Sequence, residues 1–241
     1  MGVGPLVTGA RPGLSPGFRW GVAAAVAGVL ATVVALTVVL GPEWSRRGMI
    51  EVTGTIEGFD RPDAADGLGA LAGRPWVVEG GGRWGVAGGA AYLSSPAPAR
   101  SFALVDVGSP DVAVSARLSA VRNGAGLAFA YSRPGRFWAV VAVPQVATWN
   151  LVEVVDGRPT VRGSTGQSAV ADGTEVAVAL SGDEVTVAVN GRPALTVDGL
   201  PADRSTRVGL TVAGPQAGEA RFDEVAVALA GDEPLPGAGP P

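Results

Sequence analysis

From about residue 55 onward, apolar and polar residues alternate with the two-residue period of β-strands. The clearest run has one parity made of Val112, Val114, Ala116 and Leu118, with Asp111, Ser115, Arg117 and Ser119 on the other. Similar alternation covers residues 176–180, 185–189 and 208–212. Residues 137–143 are apolar on both parities, which predicts a strand buried on both faces.

Turn-forming dipeptides separate these runs. Asn190-Gly191 lies between two apolar runs and predicts a type I′ hairpin. Other turn dipeptides stand at 123–124, 156–157, 172–173 and 182–183. No helical periodicity is sustained after residue 45, so the pattern predicts an all-β, antiparallel jelly-roll β-sandwich.

The N-terminal region contains one long apolar run. Residues 20–40 carry no charge, and 21 helical residues at about 1.5 Å each span roughly 30 Å, the thickness of a bilayer core. A cleaved signal peptide is the alternative, but it has a shorter apolar region and a small-x-small cleavage site, and no Ala-x-Ala follows residue 40. The run therefore predicts one transmembrane helix that acts as an uncleaved signal anchor.

With this helix and the strand-rich region, the sequence predicts five parts of the chain. We expect a short N-terminal segment at 1–19, the helix at 20–40, a linker at 41–54, the sandwich at 55–229 and a disordered tail at 230–241. Two arginines precede the helix and two follow it, so the flanking charges do not set its orientation. A short leader before a large domain favours a single-pass protein of the cell membrane with its C-terminal domain extracytoplasmic.

Composition excludes several chemistries. The chain has no His, no Cys and no Lys, and all 18 basic residues are Arg. This removes Ser-His-Asp triads, thiolate nucleophiles, zinc fingers, disulfides and Schiff-base lysines. The net charge of −4 combines +3 over residues 1–48 with −7 over the rest, so nucleic acid is not an expected partner. Arg in place of every Lys favours a bacterial source with GC-rich codons.

A family resemblance runs through residues 55–229. Its opening blocks are Phe59-Asp60-Arg61-Pro62-Asp63, Gly73-Arg74-Pro75-Trp76 and Gly82-Arg83-Trp84-Gly85, and later ones are residues 126–129, 149–157, 187–191 and 220–225. They resemble the concanavalin A-like lectin/glucanase superfamily, in particular LamG-type jelly-roll domains. The resemblance implies a fold shared by lectins, glycoside hydrolases, carbohydrate-binding modules and adhesion domains. For Trp76, Trp84 and Trp149 it favours packing positions in the core.

Catalysis is not expected. A glycosidase needs two carboxylates about 5–9 Å apart, and the E-x-D-x-x-E strand motif of catalytic members does not occur. A sugar could instead stack on aromatic side chains. Tyr131, Phe137 and Trp138 flank a turn that carries Arg133 and Arg136, which makes Tyr131, Arg133, Arg136 and Trp138 the candidate ligand-binding residues. The alternative is that the aromatic residues pack in the core and the arginines face solvent.

A structural calcium ion is a further expectation. The resemblance implies that the first and last strands pair and share calcium, which would use Asp60 and Asp223; solvent-facing carboxylates are the alternative. A change of parity after Phe222 also predicts a β-bulge near Asp223.

The function expected from the sequence is non-catalytic binding of a cell-envelope glycan or another envelope component by a membrane-anchored domain. A structural or interaction domain without a sugar site, such as an accessory domain for a partner membrane protein, is the alternative, and a glycoside hydrolase is the third possibility.

Overall fold

The computed structural model describes residues 52, 54–95, 99–201 and 204–229. The segments predicted at 1–19, 20–40 and 230–241 lie outside the described residues, as does the linker apart from Val52 and Gly54. Within the described part, no helix is long and apolar enough to cross a membrane. Its regular structure is β, with two short 3-10 turns at Pro144–Val146 and Ala217–Glu219.

The described residues form seventeen strands. In chain order they are β1 (Thr55–Glu57), β2 (Ala70–Leu71), β3 (Arg74–Pro75), β4 (Val77–Glu79), β5 (Arg83–Ala87), β6 (Ala90–Ser95), β7 (Ser101–Asp106), β8 (Val112–Leu118), β9 (Gly126–Arg133), β10 (Arg136–Val143), β11 (Thr148–Val155), β12 (Arg158–Ser164), β13 (Thr174–Ser181), β14 (Glu184–Val189), β15 (Arg192–Asp198), β16 (Arg207–Val212) and β17 (Glu224–Leu229).

Two large antiparallel sheets make up the sandwich. The six-stranded sheet has the order β1-β17-β8-β13-β14-β15, and the seven-stranded sheet has the order β12-β11-β10-β9-β16-β7-β4. Two small hairpins, β2–β3 and β5–β6, stand beside them. The first and last strands pair, with Thr55 opposite Val227 and Glu57 opposite Val225. The predicted all-β antiparallel sandwich is confirmed.

The main core lies between the two sheets and uses the apolar parity of each strand. Val114, Ala116 and Leu118 of β8 are fully buried in it, as the alternation predicts. The predicted core tryptophans also belong to it: Trp84 and Trp149 are fully buried and Trp76 nearly so. Burial of apolar side chains on this scale supplies most of the stability of such a domain.

The turn at Asn190-Gly191 has the predicted geometry. Its φ angles are 49° and 73°, and Val189 pairs directly with Arg192, which leaves the two-residue connection of a type I′ hairpin. Asn190 Oδ1 also accepts a hydrogen bond of 3.0 Å from the backbone nitrogen of Glu175.

The pairing of β8 with β17 is irregular near Asp223, where a β-bulge is predicted. The Asp223 backbone nitrogen donates to the carbonyl oxygen of Arg117 at 2.9 Å, although the residue opposite Arg117 is Glu224. Two residues of one strand therefore face one residue of the other, as in a β-bulge. Arg221 lies opposite Ala120, so the register beyond this point is unchanged.

Strand β10 packs on both of its faces, as predicted. Trp138, Val140 and Ala142 point into the main core. Phe137, Ala139 and Val141 belong to a second buried cluster on the opposite, outer face of the seven-stranded sheet. This second cluster forms the floor of the candidate site.

Candidate functional site

A row of small residues crosses the outer face of the seven-stranded sheet. Gly209 of β16 lies opposite Ala128 of β9, and Ala128 lies opposite Ala139 of β10. Directly opposed residues in an antiparallel sheet point to the same face, so these three positions share that face. Because none of them carries more than a methyl group, the sheet surface is hollow at its centre.

Three aromatic rings pack over this hollow. The ring centroid of Phe102 lies 4.7 Å from that of Tyr131 and 4.9 Å from that of Phe137, the latter in an edge-to-face arrangement. Phe102 belongs to β7 and Phe137 to β10, with β9 and β16 between them in the sheet. The small residues below allow the rings to meet across two intervening strands.

A groove of about 360 Å³ opens beside these rings. Its apolar floor is formed by Phe102, Phe137, Ala139, Val152 and Val154. The other lining residues are Gly80, Ala99, Arg100, Pro134, Gly157 and Pro159. Arg100 is the one charged side chain among these lining residues, and none of them is acidic. The volume lies in the range of about 300–1,000 Å³ that is typical of small-molecule sites.

Tyr131 anchors the ring cluster from beneath. Its side chain is fully buried, and its hydroxyl donates a hydrogen bond of 2.8 Å to Glu79 Oε2. Arg207 pairs with the other Glu79 oxygen at 2.5 Å and lies 4.9 Å from the centre of the tyrosine ring. Burial, followed by the hydrogen bond to Glu79, raises the pKa of Tyr131 well above that of an exposed tyrosine.

Arg100 lies at one end of the groove, next to Phe102. Its Nη1 donates to the carbonyl oxygen of Gly124 and to Oγ1 of Thr211, both at 3.3 Å. No carboxylate among the described residues forms an ion pair with it. Burial lowers the pKa of Arg100 from its usual value, because the guanidinium has lost part of its hydration.

The four ligand-binding residues predicted from the sequence take different positions. Tyr131 is buried under the groove floor, while Trp138 lies in the main core with its ring 6.5 Å from that of Phe129. Arg133 is exposed and pairs with Asp156 at 3.0 Å. Arg136 is exposed and, with Trp138, lines a smaller pocket of about 180 Å³. The structure therefore brings Arg136 and Trp138 together, whereas Tyr131 belongs with the larger groove, and their role in ligand binding stays a prediction.

The two predicted calcium ligands lie at the same end of the β1–β17 pair, because Asp60 follows β1 and Asp223 precedes β17. Asp223 Oδ1 accepts a hydrogen bond from the hydroxyl of Ser119, and the Asp60 carboxylate is exposed beside Gly58. The described residues contain no group of three or more acidic side chains that could hold a metal ion. Calcium takes six to eight oxygen ligands, which include backbone carbonyls and waters, so a calcium ion held by Asp60 and Asp223 stays a prediction.

Two acidic residues of β11 and the turn after it are already paired. Glu153 accepts from Arg162 Nε at 2.8 Å, and Asp156 accepts from Arg133. None of the described residues that line the groove is acidic, so none of them supplies the general acid or the nucleophile of a glycosidase.

Solved structures provide the comparison. The exoplasmic/lumenal domain of VIP36, in a Ca²⁺- and Man-bound form, is 12% identical with a TM-score of 0.51, over 70% of this chain and 88% of that one. A second similar structure is domain 4 of AbnA, a GH43 extracellular arabinanase from Geobacillus stearothermophilus, in complex with arabinotriose. It is 15% identical with a TM-score of 0.50, over 76% of this chain and 95% of that one. No protein-family model matches the chain, and no curated protein does.

The chain shares a jelly-roll fold with these domains. A third similar structure, a mutant of the GH43 protein BlXynB from Bacillus licheniformis, is 13% identical with a TM-score of 0.50, over 80% of this chain and 40% of that one. At such identities the likeness concerns the fold, which is consistent with the concanavalin A-like resemblance. The narrower LamG assignment stays a prediction.

Sequence reasoning missed Arg100, Phe102 and Gly209. One signal was present: residues 102–105 are apolar on both parities, like residues 137–143, so both strands could be expected to bury two faces. Whether the side chains of these two strands meet depends on the order of the strands in the sheet, and the periodicity of a single strand carries no information about that order.

Proposed function

We propose that this protein is a membrane-anchored, extracytoplasmic glycan-binding protein without catalytic activity. The observation that carries the proposal is the groove on the outer face of the seven-stranded sheet. It combines aromatic and aliphatic side chains with open volume, and none of the described residues that line it is acidic.

The groove has the physical properties that a sugar ring requires. One face of a pyranose exposes mainly C–H groups, which pack on apolar and aromatic surfaces such as Phe102 and Phe137. Hydroxyl groups at the ring edge need polar partners, and the backbone of Gly80 and Gly157 and the guanidinium of Arg100 lie at the margins of the groove. Two proteins of similar fold support the assignment, since VIP36 was solved in a Man-bound form and domain 4 of AbnA with arabinotriose.

The test is a glycan array probed with the full chain in detergent, together with two variants. Val152→Trp places an indole in the groove, because Val152 is partly buried and lines it. Ile56→Trp is the matched control, since Ile56 is 60% exposed on β1 of the other sheet. We expect the wild type and Ile56→Trp to bind the same glycans and Val152→Trp to bind none. Equal binding by both variants, or no glycan bound by the wild type, would contradict the proposal.

Membrane anchoring is the second part of the proposal, and residues 20–40 support it by their length and lack of charge. We expect external protease to remove the sandwich from intact cells, and the mature N-terminus to remain at residue 1 or 2. A mature protein that begins near residue 42–45 would instead identify a cleaved signal peptide.

The alternative is an interaction domain without a sugar site, which the exposed apolar residues Val77 and Val78 on the edge strand β4 would favour. Co-purification of a partner membrane protein, lost when Val78 is changed to Lys, would support it. The same array separates the two functions, because an interaction domain without a sugar site binds no glycan, whether as wild type, as Val152→Trp or as Ile56→Trp.

A further inference from the structure

The groove carries a positive charge that no acidic side chain among the described residues neutralises. Seven other arginines of the described part pair with carboxylates within 4.0 Å. They are Arg61, Arg117, Arg122, Arg133, Arg162, Arg204 and Arg207. Arg100 differs from them because its two acceptors, the Gly124 carbonyl and the Thr211 hydroxyl, are neutral.

The donors of Arg100 are unequally used. Nη1 makes both hydrogen bonds, which orient the guanidinium across the outer face of the sheet. Nε and Nη2 have no partner among the described residues, and neither of these atoms is fully buried. Because Arg100 lines the groove, these two donors are available to a ligand in it.

We propose that the groove selects an acidic glycan and that Arg100 binds the carboxylate of its uronic or sialic acid unit; this inference rests on the proposed function. Nε and Nη2 are adjacent donors of one planar fork, and a carboxylate presents two oxygens at matching spacing. The apolar floor beside Arg100 receives the C–H face of the same sugar ring.

The surroundings of Arg100 favour an anion over a neutral hydroxyl. Partial loss of hydration destabilises the isolated cation, and an anionic ligand offsets that cost more than a neutral one does. None of the described lining residues is acidic, so a bound carboxylate meets no repulsion from them. The same two features disfavour a cationic ligand.

The experiment uses the full chain in detergent and an array of uronate- and sialate-bearing glycans printed beside their methyl esters, with sulfated glycans as a separate arm. A methyl ester keeps the ring and removes the charge. Arg100→Gln removes the cation, and Arg192→Gln is the matched control, because Arg192 is an exposed residue of β15 in the other sheet. Thermal melts of each variant establish that it is folded.

We expect the wild type and Arg192→Gln to bind one or more acidic glycans at least about tenfold more tightly than the methyl esters. Arg100→Gln should lose this preference, and Arg100→Lys should recover it only in part, since an ammonium lacks the planar fork. Binding by the wild type should also weaken as salt is added, a readout that needs no variant.

Three results would overturn the inference and leave the proposed function intact: equal affinity for acids and methyl esters, preference for sulfated glycans, or unchanged acid binding by folded Arg100→Gln. Should Arg100→Gln fail to fold, the methyl-ester comparison and the salt dependence of the wild type decide the matter. An array on which the wild type binds nothing contradicts the proposed function together with this inference.

Discussion

The hydroxyl of Tyr131 donates to Glu79 Oε2 across 2.8 Å, and this bond joins β9 to the edge strand β4 on the outer face of the seven-stranded sheet. Arg207 completes the contact by pairing with the second oxygen of Glu79. The ring that supports the groove floor is therefore fixed by a hydrogen bond to a partly buried carboxylate as well as by packing.

Tyr131→Phe should lower the free energy of unfolding by about 1–2 kcal/mol at neutral pH, because it removes the hydroxyl that donates a hydrogen bond to Glu79. The effect should depend on pH. The pKa of Tyr131 is higher in the folded protein than in the unfolded chain. The contribution of its hydroxyl to the free energy of unfolding is therefore complete below about pH 10, the pKa of an unfolded tyrosine. Above that pH the unfolded chain loses the proton first, so this contribution decreases. Urea unfolding at about pH 8 and about pH 11 measures this. A difference between wild type and variant that stays constant with pH would contradict it.

Thr206→Val should raise the pKa of Asp106. The Thr206 hydroxyl donates to Asp106 Oδ1 at 2.6 Å, and this hydrogen bond is the main cause of the lowered pKa of the Asp106 carboxyl. Partial burial raises that pKa, and the hydrogen bond from the Gly108 backbone nitrogen lowers it further. Because the pKa is lower when folded, this stabilisation is present above about pH 4 and is lost on acidification. Carboxyl-carbon NMR titration should give a higher midpoint for Thr206→Val, whereas Thr196→Val on β15 should leave it unchanged.

Gly126→Ala should destabilise the protein more than Gly166→Ala. A Cβ on Gly126 would lie 1.9 Å from the carbonyl oxygen of Val140, so β9 and β10 must separate, at a cost of about 2–3 kcal/mol or more. A Cβ on Gly166 meets nothing within 4 Å, and its positive φ of 68° costs only about 1 kcal/mol. Denaturant midpoints compare the two, and equal losses would refute the close approach of β9 and β10.

Asn190→Ala should weaken the β14–β15 hairpin. Alanine disfavours the left-handed conformation of this position and removes the acceptor for the Glu175 backbone nitrogen, together costing about 1–2 kcal/mol. Asn190→Gly removes the acceptor but fits the positive φ, so its loss should be smaller. Urea unfolding should rank stability as wild type, then Asn190→Gly, then Asn190→Ala, and a reversal of the two variants would show that the φ angle is not limiting.

The strands could be predicted wherever the signal is local. The alternation of Val112 to Leu118 defines β8 and its buried face, and Asn190-Gly191 defines a hairpin, because each depends on neighbours in the chain. The irregular pairing at Asp223 was expected from one strand alone. The structure shows that the neighbouring chain also changes its buried face there, since Leu118 and Val121 are both buried, and this could not be read from the strand that contains Asp223.

The groove could not be predicted, because its parts are close only in the folded sheet. Phe102 and Phe137 meet above Gly209, a residue far from both in sequence, and Arg100 is held by Gly124 and Thr211. The residues chosen from the sequence, such as Arg133, stood beside aromatic residues in the chain, and proximity in the chain does not identify the residues that share a face of the sheet.

The pairing of the first strand with the last has a consequence for how the domain could be rebuilt. Since β1 and β17 run antiparallel, the start of one and the end of the other lie at the same end of the six-stranded sheet. A short Gly/Ser linker from Leu229 to Thr55 would join them without crossing the sandwich, and the Gly182-Asp183 turn, where Gly182 has open space around it, is a suitable place for new termini. A circular permutant changes the order of the strands along the chain but not their order in the sheets, so it should retain the groove.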